Sequence, residues 1–449
     1  MRVYLETYGC QMNEADSELA LGVLEKKGYQ RTLDIAEADV VLVNTCAVRQ
    51  HAEERVLGRL GYFSTFKSRK PNMVIGVLGC MGQHLKERLL ALSHGGGVVD
   101  LVVGPDGYRR LPELIERARG GDPFVDIRLD RNELYSDLEP LRAQGVRAWV
   151  PIMRGCNRFC TFCIVPLVRG RERCLPVTAV LDQVKKCVEA GFREIVFLGQ
   201  TVNSYRDEES DFADLLRLTN EIDGVERIRF TSPHPADMSD EVINAMAECE
   251  KVMPQLHLPL QSASNSVLEH MKRGYTIEQF DEIVGKLRHR VPGIALGTDI
   301  IVGFHNESEQ DFLATYEYLE RTRFDSAFMF KYSRREGTRS YRWGDTVPEE
   351  EKNRRLQAII QLQEKISAEI NQGWIGKTVE VLVEGRSKKG EGQLSGKSPQ
   401  FKTVVFPDDG SACGDKVMVR ITEATAHTLI GEHSFGDSKQ RGNDMNKEV

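Results

Sequence analysis

Apolar residues follow two rhythms along this chain. Over the first ~140 residues, short unbroken apolar runs alternate with stretches in which apolar positions recur every three or four residues. An unbroken run bounded by turn residues marks a strand buried on both faces, and the longer period marks a helix with one buried face. "RVYLETYGC" reads as a strand and "EADSELALGVLEKKG" as a helix ending at Gly28. "ADVVLVNTC", "MVIGVLGC" after Pro71, and "VDLVVG" read as three further strands. Strands alternating with helices imply a doubly wound parallel sheet.

The alternation continues with new strands from Arg147 to Tyr332: "RAWVPIM", "EIVFLGQ", "RIRFTS", "QLHLPLQS", "ALGTDIIVGF" and "SAFMFKY". Helical periods fall between them at 177–190, 211–222, 240–249, 276–290 (after a shorter one near Val267) and 309–321. Six strands joined by right-handed crossovers suit an incomplete TIM-like barrel. "PEEEKNRRLQAIIQLQEKISAEINQ" reads as a charged helix leaving that barrel. After Trp374 the pattern shortens to "TVEVLVEG", "KTVVFP", "DKVMVRIT" and "TLIGE", which predicts a small antiparallel β-barrel. The expected fold is α/β: a sheet domain over 1–120, a linker over 121–145, a barrel with its exit helix over 146–372, a small β-barrel over 373–436, and a disordered tail over 437–449.

Composition narrows the class. The 449 residues are 41% hydrophobic and 28% charged, normal for a soluble protein of several domains. A net charge of −7 excludes a strongly cationic nucleic-acid coat and leaves room for a local basic patch. The start, "MRVYLETYGC", lacks a secretory pattern, and no apolar run approaches the ~20 residues of a membrane span. A cytoplasmic location is expected. Ten cysteines in such a chain point to metal binding, catalysis or core packing before disulfides.

Cys156, Cys160 and Cys163, in "RGCNRFCTFC", follow the first barrel strand, on the face where barrel active sites form. Thiolates suit zinc or iron–sulfur clusters. A structural zinc wants a fourth close ligand, and Cys174 is the one candidate. A cubane cluster held by three thiolates instead leaves one iron for a ligand from outside the protein. A second trio is spread more widely. Cys10, Cys46 and Cys80 each end an apolar run, in "YGC", "NTC" and "LGC", about 35 residues apart. Neighbouring parallel strands lie ~4.8 Å apart and bind ligands beyond their carboxyl ends, so three such thiols are placed to converge.

"CNRFCTFC" resembles the signature of the radical S-adenosylmethionine (SAM) superfamily, with Phe162 as its aromatic; packing in the core is the plainer role for that ring. The words "TYGCQMNEADSE", "NTCAVR", "GCMGQ", "RGRER", "LGQTVNSY", "SPHP", "HLPLQS", "RGYT" and "TDIIVGF", in this order, resemble the radical SAM methylthiotransferases. Within them the MiaB-type tRNA enzymes fit best. The final β region, with "GKTVEVLVEG" and "LSGKS", resembles the RNA-binding TRAM domain. The resemblance implies two [4Fe-4S] clusters, one on each cysteine trio, and SAM both as radical source and as methyl donor. It implies insertion of a methylthio group at C2 of N6-isopentenyladenosine at position 37, beside the tRNA anticodon, with the barrel cluster cleaving SAM and the N-terminal cluster holding the sulfur. The partners implied are a tRNA anticodon stem-loop and an electron donor such as flavodoxin or ferredoxin, acting on a monomer.

No catalytic side chain is expected beyond the six ligands. Gly199 and Gln200, ending the second barrel strand, are placed to contact SAM through their backbone, or simply to turn the chain. Ser232 and Ser262, ending the third and fourth strands, are placed to bond its ribose or carboxylate, or to cap helices. His234 and His257 are acid–base candidates or core histidines. Arg169, Arg171 and Arg173 are anion contacts or a solvated face. Cys187 and Cys249 read as packing residues; Cys174 and Cys413 have no partner spacing. In the TRAM-like region Arg386, Lys388, Lys389, Lys397 and Lys402 beside Phe401 suit phosphate contact and base stacking. "GFHNES", with His305 and Asn306, "QSAS", with Ala263, and "LSGKS", with Lys397 and Ser398, depart from the family words. Two other readings stay open: a RimO-type enzyme acting on a ribosomal-protein aspartate, and a non-catalytic iron–sulfur RNA-binding protein.

Overall fold

The computed structural model describes residues 1–47, 50–91, 98–388 and 390–434, with only the backbone over 50–52. Val48 and Arg49 of "NTCAVR", Lys389 and the tail expected to be disordered lie outside the described residues.

The N-terminal sheet has six parallel strands: β1 (Arg2–Tyr8), β2 (Gln30–Arg31), β3 (Val40–Thr45), β4 (Val74–Leu78), β5 (Leu101–Val103) and β6 (Phe124–Asp126), in the order β2-β1-β3-β4-β5-β6. Strand alternation gives the sheet two cores. Val40 and Leu42 join Leu19, Leu24 and Ile115 on one face; Val41 and Val43 join Val56, Leu60 and Phe63 on the other. That is why β3 reads as an unbroken apolar run. The chain steps outward from β1 to β2 and then returns to β3, so the topological switch point lies between β1 and β3. The sheet reaches past residue 120, into the stretch expected to be linker. Three residues of β6 are too few to show a strand period. The irregular segment that follows is tied back, with Leu141 N–H donating to Glu18 O at 2.8 Å.

The barrel strands are β7 (Arg147–Pro151), β10 (Glu194–Leu198), β11 (Arg227–Phe230), β12 (Gln255–His257), β13 (Ala295–Val302) and β14 (Ser326–Lys331). A short antiparallel pair, β8 (Met153–Arg154) and β9 (Arg173–Cys174), stands above β7. Parallel ladders join β7-β10-β11 and β12-β13-β14, and a bridge at Ile228 and Val252 links the two sets. Among the described residues no ladder joins β14 to β7, so the barrel is partial. Helices follow the expected periods, from Val177–Glu189 to Glu309–Thr322. The charged helix Glu349–Gln372 does not simply leave: it buries Ile359, Leu362 and Ile366 in the barrel core.

The last region is a closed five-stranded barrel of β15 (Thr378–Arg386), β16 (Gln393–Lys397), β17 (Thr403–Pro407), β18 (Lys416–Ala424) and β19 (Thr428–His433). The sequence pattern showed four of these. β16 is "QLSGK", whose small residues carry little strand propensity. Closure is not wholly antiparallel, because β17 and β19 pair in parallel.

Candidate active site: two cysteine trios and a cavity

The N-terminal trio stands where the sheet topology puts it. Cys10 follows β1 and Cys46 follows β3, on either side of the switch point; Cys80 lies in the first turn of helix Gly79–Leu85, after β4. The turns meet closely. A Cβ on Gly9, at φ +130°, would lie 2.6 Å from Cys46 Cβ, and one on Gly79, at φ +83°, 2.2 Å from Asn44 Oδ1. The polar residues of the same words hold the turns. Cys10 caps helix Gln11–Glu25, and its Sγ donates to Asn13 Oδ1 at 3.3 Å. Asn13 Nδ2 donates to Asn44 Oδ1 (3.2 Å), and Asn44 Nδ2 to Asn13 O (2.9 Å) and Ser17 Oγ (3.0 Å). The hydrogen bond with Cys46 brings the Cys10 thiol down to about 6, helped by the charge of Arg169 and opposed by burial. Burial pushes the Cys80 thiol up.

The barrel trio lies on one loop closed at its base by β8 and β9 and by Cys156 N–H donating to Gly170 O at 3.2 Å. Its far end is pinned by Thr161, whose N–H donates to Met271 O (3.0 Å) and whose hydroxyl donates to His270 O (2.8 Å). Cys156 Sγ lies 3.1 Å from Thr201 Oγ1, and Cys160 Sγ accepts from Arg273 Nη1 at 3.4 Å. Burial raises the Cys156 thiol and pushes that of Cys163 up to about 12. Isolated thiolates are costly in such surroundings, and coordination to a metal offsets the cost. A four-iron cluster held by the protein through three thiolates takes one on each of three irons. The donor set, three cysteines and no fourth, fits the cluster at both trios.

Three arginines of the barrel loop clamp it to the sheet. Asp16, fully buried on helix Gln11–Glu25, accepts from Arg154 Nη2 (2.8 Å) and Arg169 Nη2 (2.7 Å). Asp106, also fully buried, takes a forked pair from Arg173 at 2.9 and 3.1 Å. Arg169 is therefore neither a solvated charge nor an open anion site, as the sequence had left it; Arg171, exposed, stacks over Phe159. Cys80 and Ala47 pack on Ile164 and Val168, just past Cys163. A cavity of ≈ 1020 Å³ opens between the two parts, lined by Tyr8, Gly9 and Arg55 on one side and by Phe162, Cys163 and Gln261 on the other.

The remaining candidates divide. Phe162 lines the cavity and also packs edge-on against Phe304. Gly199 is crowded by Met153, and Gln200 Oε1 is buried without a partner among the described residues. Ser232 is exposed at φ +60°. Ser262 is fully buried, its hydroxyl shared with Thr315 and Ser264 N–H; from that strand end Gln261 is what lines the cavity. His234 is a buried cap accepting from Ala236 N–H, and His257 Nε2 lies 2.9 Å from Asp299 Oδ1. Cys187 and Cys249 are core residues. The departures from the family words are tolerated locally. Asn306 sits at φ +60°, a conformation asparagine adopts at low cost, and Ser308 closes a capping box with Asp311.

The expectation for the TRAM-like region needs correction. Phe401 does not offer a free stacking face: Arg147, Arg229 and Lys397 lie 5.0, 4.8 and 4.7 Å from its ring centre. Lys402 pairs with Asp325 at 2.7 Å. Arg227 donates to Lys397 O, and Arg229 to Ser398 O and Pro399 O. These barrel residues stand at the strands' amino ends, so the small barrel caps the face opposite the cysteines. Arg386 and Lys388 remain exposed. Asp16, Asp106, Arg154 and Arg273 were missed as site residues. Three of them stood inside quoted words, Asp16 in "TYGCQMNEADSE", Arg154 in "RGCNRFCTFC" and Arg273 in "RGYT", but nothing local marks their partners.

A partial barrel with a three-cysteine loop at its carboxyl face defines a radical SAM enzyme, and comparison agrees: the Radical SAM superfamily matches residues 150–319, the uncharacterized protein family UPF0004 residues 2–104, and the TRAM domain residues 374–433. The radical SAM methyltransferase TsrM from Kitasatospora setae shares the fold, with a TM-score of 0.58 at 14% identity, over 76% of this chain and 74% of its own. Sequence relatives are far nearer. The tRNA-2-methylthio-N(6)-dimethylallyladenosine synthase of Porphyromonas gingivalis is 46% identical over 96% of this chain and 94% of its own length. That of Chloroherpeton thalassium is 44% identical over 96% and 95%. The chain belongs to the family of tRNA-2-methylthio-N(6)-dimethylallyladenosine synthases.

Proposed function

We propose that this protein adds a methylthio group to C2 of N6-isopentenyladenosine at position 37 of tRNA, with SAM and two [4Fe-4S] clusters as its cofactors. The observation that supports this reading is a cavity with Gly9, the residue before Cys10, on one wall and Cys163 on the other. Cys10, Cys46 and Cys80 hold one cluster and Cys156, Cys160 and Cys163 the other, with SAM beside the barrel trio near Phe162, Gly199, Gln200 and Ser232. When bound, these groups supply the radical, the sulfur and the methyl group that side chains cannot.

The chain's own residues position and enclose. Thr201 and Arg273 orient Cys156 and Cys160. Ile301, Met329, Phe330 and Leu356 give the cavity an apolar wall for the isopentenyl group, which gains affinity by leaving water. Arg55, Lys331 and Arg334 line the same cavity and suit the phosphates of a strand whose base is turned inward. A flavodoxin or ferredoxin supplies electrons to the monomer in the cytoplasm. No helix of the described residues is long and apolar enough to cross a membrane.

The test is an anaerobic assay with matched anticodon stem-loops, with and without the isopentenyl group, beside a ribosomal-protein substrate. Product is expected on the isopentenylated RNA. Modification of a protein aspartate and not the RNA would overturn the reading. The Cys10→Ala/Cys46→Ala/Cys80→Ala variant is expected to keep reductive cleavage of SAM to 5′-deoxyadenosine and to make no methylthiolated RNA.

A further inference from the structure

Arg169 belongs to the barrel's cysteine loop, yet its Nε lies 3.2 Å from Sγ of Cys80, a member of the other trio. We propose that Arg169 is a positioning residue of the N-terminal cluster, supplying from across the domain boundary a hydrogen bond and a positive charge that raise that cluster's reduction potential. The inference rests on the reading that Cys10, Cys46 and Cys80 ligate a cluster.

The guanidinium has little freedom. It is 3% exposed, Nε is engaged by Cys80 and Nη2 by Asp16 at 2.7 Å, and its planarity fixes the third nitrogen once these two are set. Its charge is not cancelled. Asp16 also accepts from Arg154, which is equally buried, so one carboxylate serves two guanidinium groups. Nη1 of Arg154 and Nη1 of Arg169 are buried with no hydrogen-bond partner among the described residues. Two buried cations, one carboxylate and unpaired donors leave an excess of positive charge beside Cys80, and an anionic centre there would balance it. Reduction adds negative charge to a cluster, and cluster potentials follow net charge and hydrogen bonds to the ligand sulfurs. Removing the arginine should therefore favour the oxidised state.

The experiment uses the full chain with Cys156→Ala/Cys160→Ala/Cys163→Ala, so that the N-terminal cluster gives the spectroscopic signal. Iron analysis establishes occupancy, and an EPR-monitored redox titration gives the midpoint. Arg169→Met is expected to lower the reduced-to-oxidised ratio at fixed potential at least tenfold, about 59 mV for a one-electron couple. Arg169→Lys, which keeps the charge and loses the fork, should fall between. Arg273→Met should leave this midpoint unmoved. Asp16→Asn, which uncovers the charge, should shift it to more positive values and decides the matter if Arg169→Met holds no iron. A fully loaded Arg169→Met with an unchanged midpoint, or an unmoved Asp16→Asn, overturns the inference. Absence of any cluster in the parent triple variant overturns the ligand reading instead, and the inference falls with it.

Discussion

Gly9 and Gly79 each stand one residue before a cysteine, at positive φ, where an added Cβ collides with the neighbouring turn. Strain of this kind costs about 1–3 kcal/mol, and here relief means separating the thiols. Gly79→Ala is expected to cost the N-terminal cluster while the barrel keeps its own. Iron analysis of reconstituted protein should fall by about half with SAM cleavage retained, and undiminished iron would count against the packing argument. His234 sets a pH dependence at the same scale. Burial, with the charges of Arg273 and Arg158, brings it down to about 2, while an unfolded histidine titrates near ~6.5. Below ~6.5 the unfolded chain gains a proton that the folded chain refuses. The stability associated with neutral His234 is thus complete above that pH and lost on acidification, by about 1.4 kcal/mol per unit. The melting temperature should fall more between pH 7.5 and 5.5 in the wild type than in His234→Gln; equal falls would refute it.

The β-hairpins of the TRAM-like barrel have two kinds of cation, those buried against the large barrel and those facing water. Lys397 belongs to the first kind, set with Arg147 and Arg229 of the large barrel around the ring of Phe401. Each such contact is worth about 0.5–2 kcal/mol, more when water is excluded. Phe401→Ala should loosen the docking of this element, seen as faster proteolysis near Gly373, and leave the salt slope of tRNA binding unchanged. Arg386→Ala and Lys388→Ala should do the reverse, each lowering that slope by roughly one per lost phosphate contact. A reduced slope in Phe401→Ala would restore the stacking role that the sequence suggested.

At the scale of the molecule, the cysteine loop is clamped to the sheet by Asp16 and Asp106, and the opposite end of the barrel is closed by the TRAM-like element. Truncation from Gly376 would uncover Glu194, Arg227 and Arg229, all buried now. Stripping partners from buried charges destabilises strongly, by about 3–5 kcal/mol for one broken pair. The truncated protein is therefore expected to lose thermal stability and SAM cleavage together with tRNA binding. Normal SAM cleavage at 37 °C in that truncation would show that the cap is dispensable for the barrel.

The sequence by itself determined what depends on local period and on covalent order. Unbroken apolar runs fixed most strands, the 3.6 period fixed the helices, and C-x₃-C-x₂-C fixed three thiols on one loop. Cys10, Cys46 and Cys80 were also legible, because a parallel sheet delivers successive strand ends to one edge and each thiol follows such an end. Only the tertiary structure decided which charges meet. Asp16 and Arg169 are 153 residues apart, and Arg229 and Ser398 are 169 apart; no period links such pairs. A buried arginine is written with the same letter as a solvated one, so Lys397, Lys402 and Phe401 read as an RNA surface until packing placed them inside. β6 and β16 were missed for a related reason: three residues, or a run of small ones, become a strand when a neighbour offers an edge to pair with.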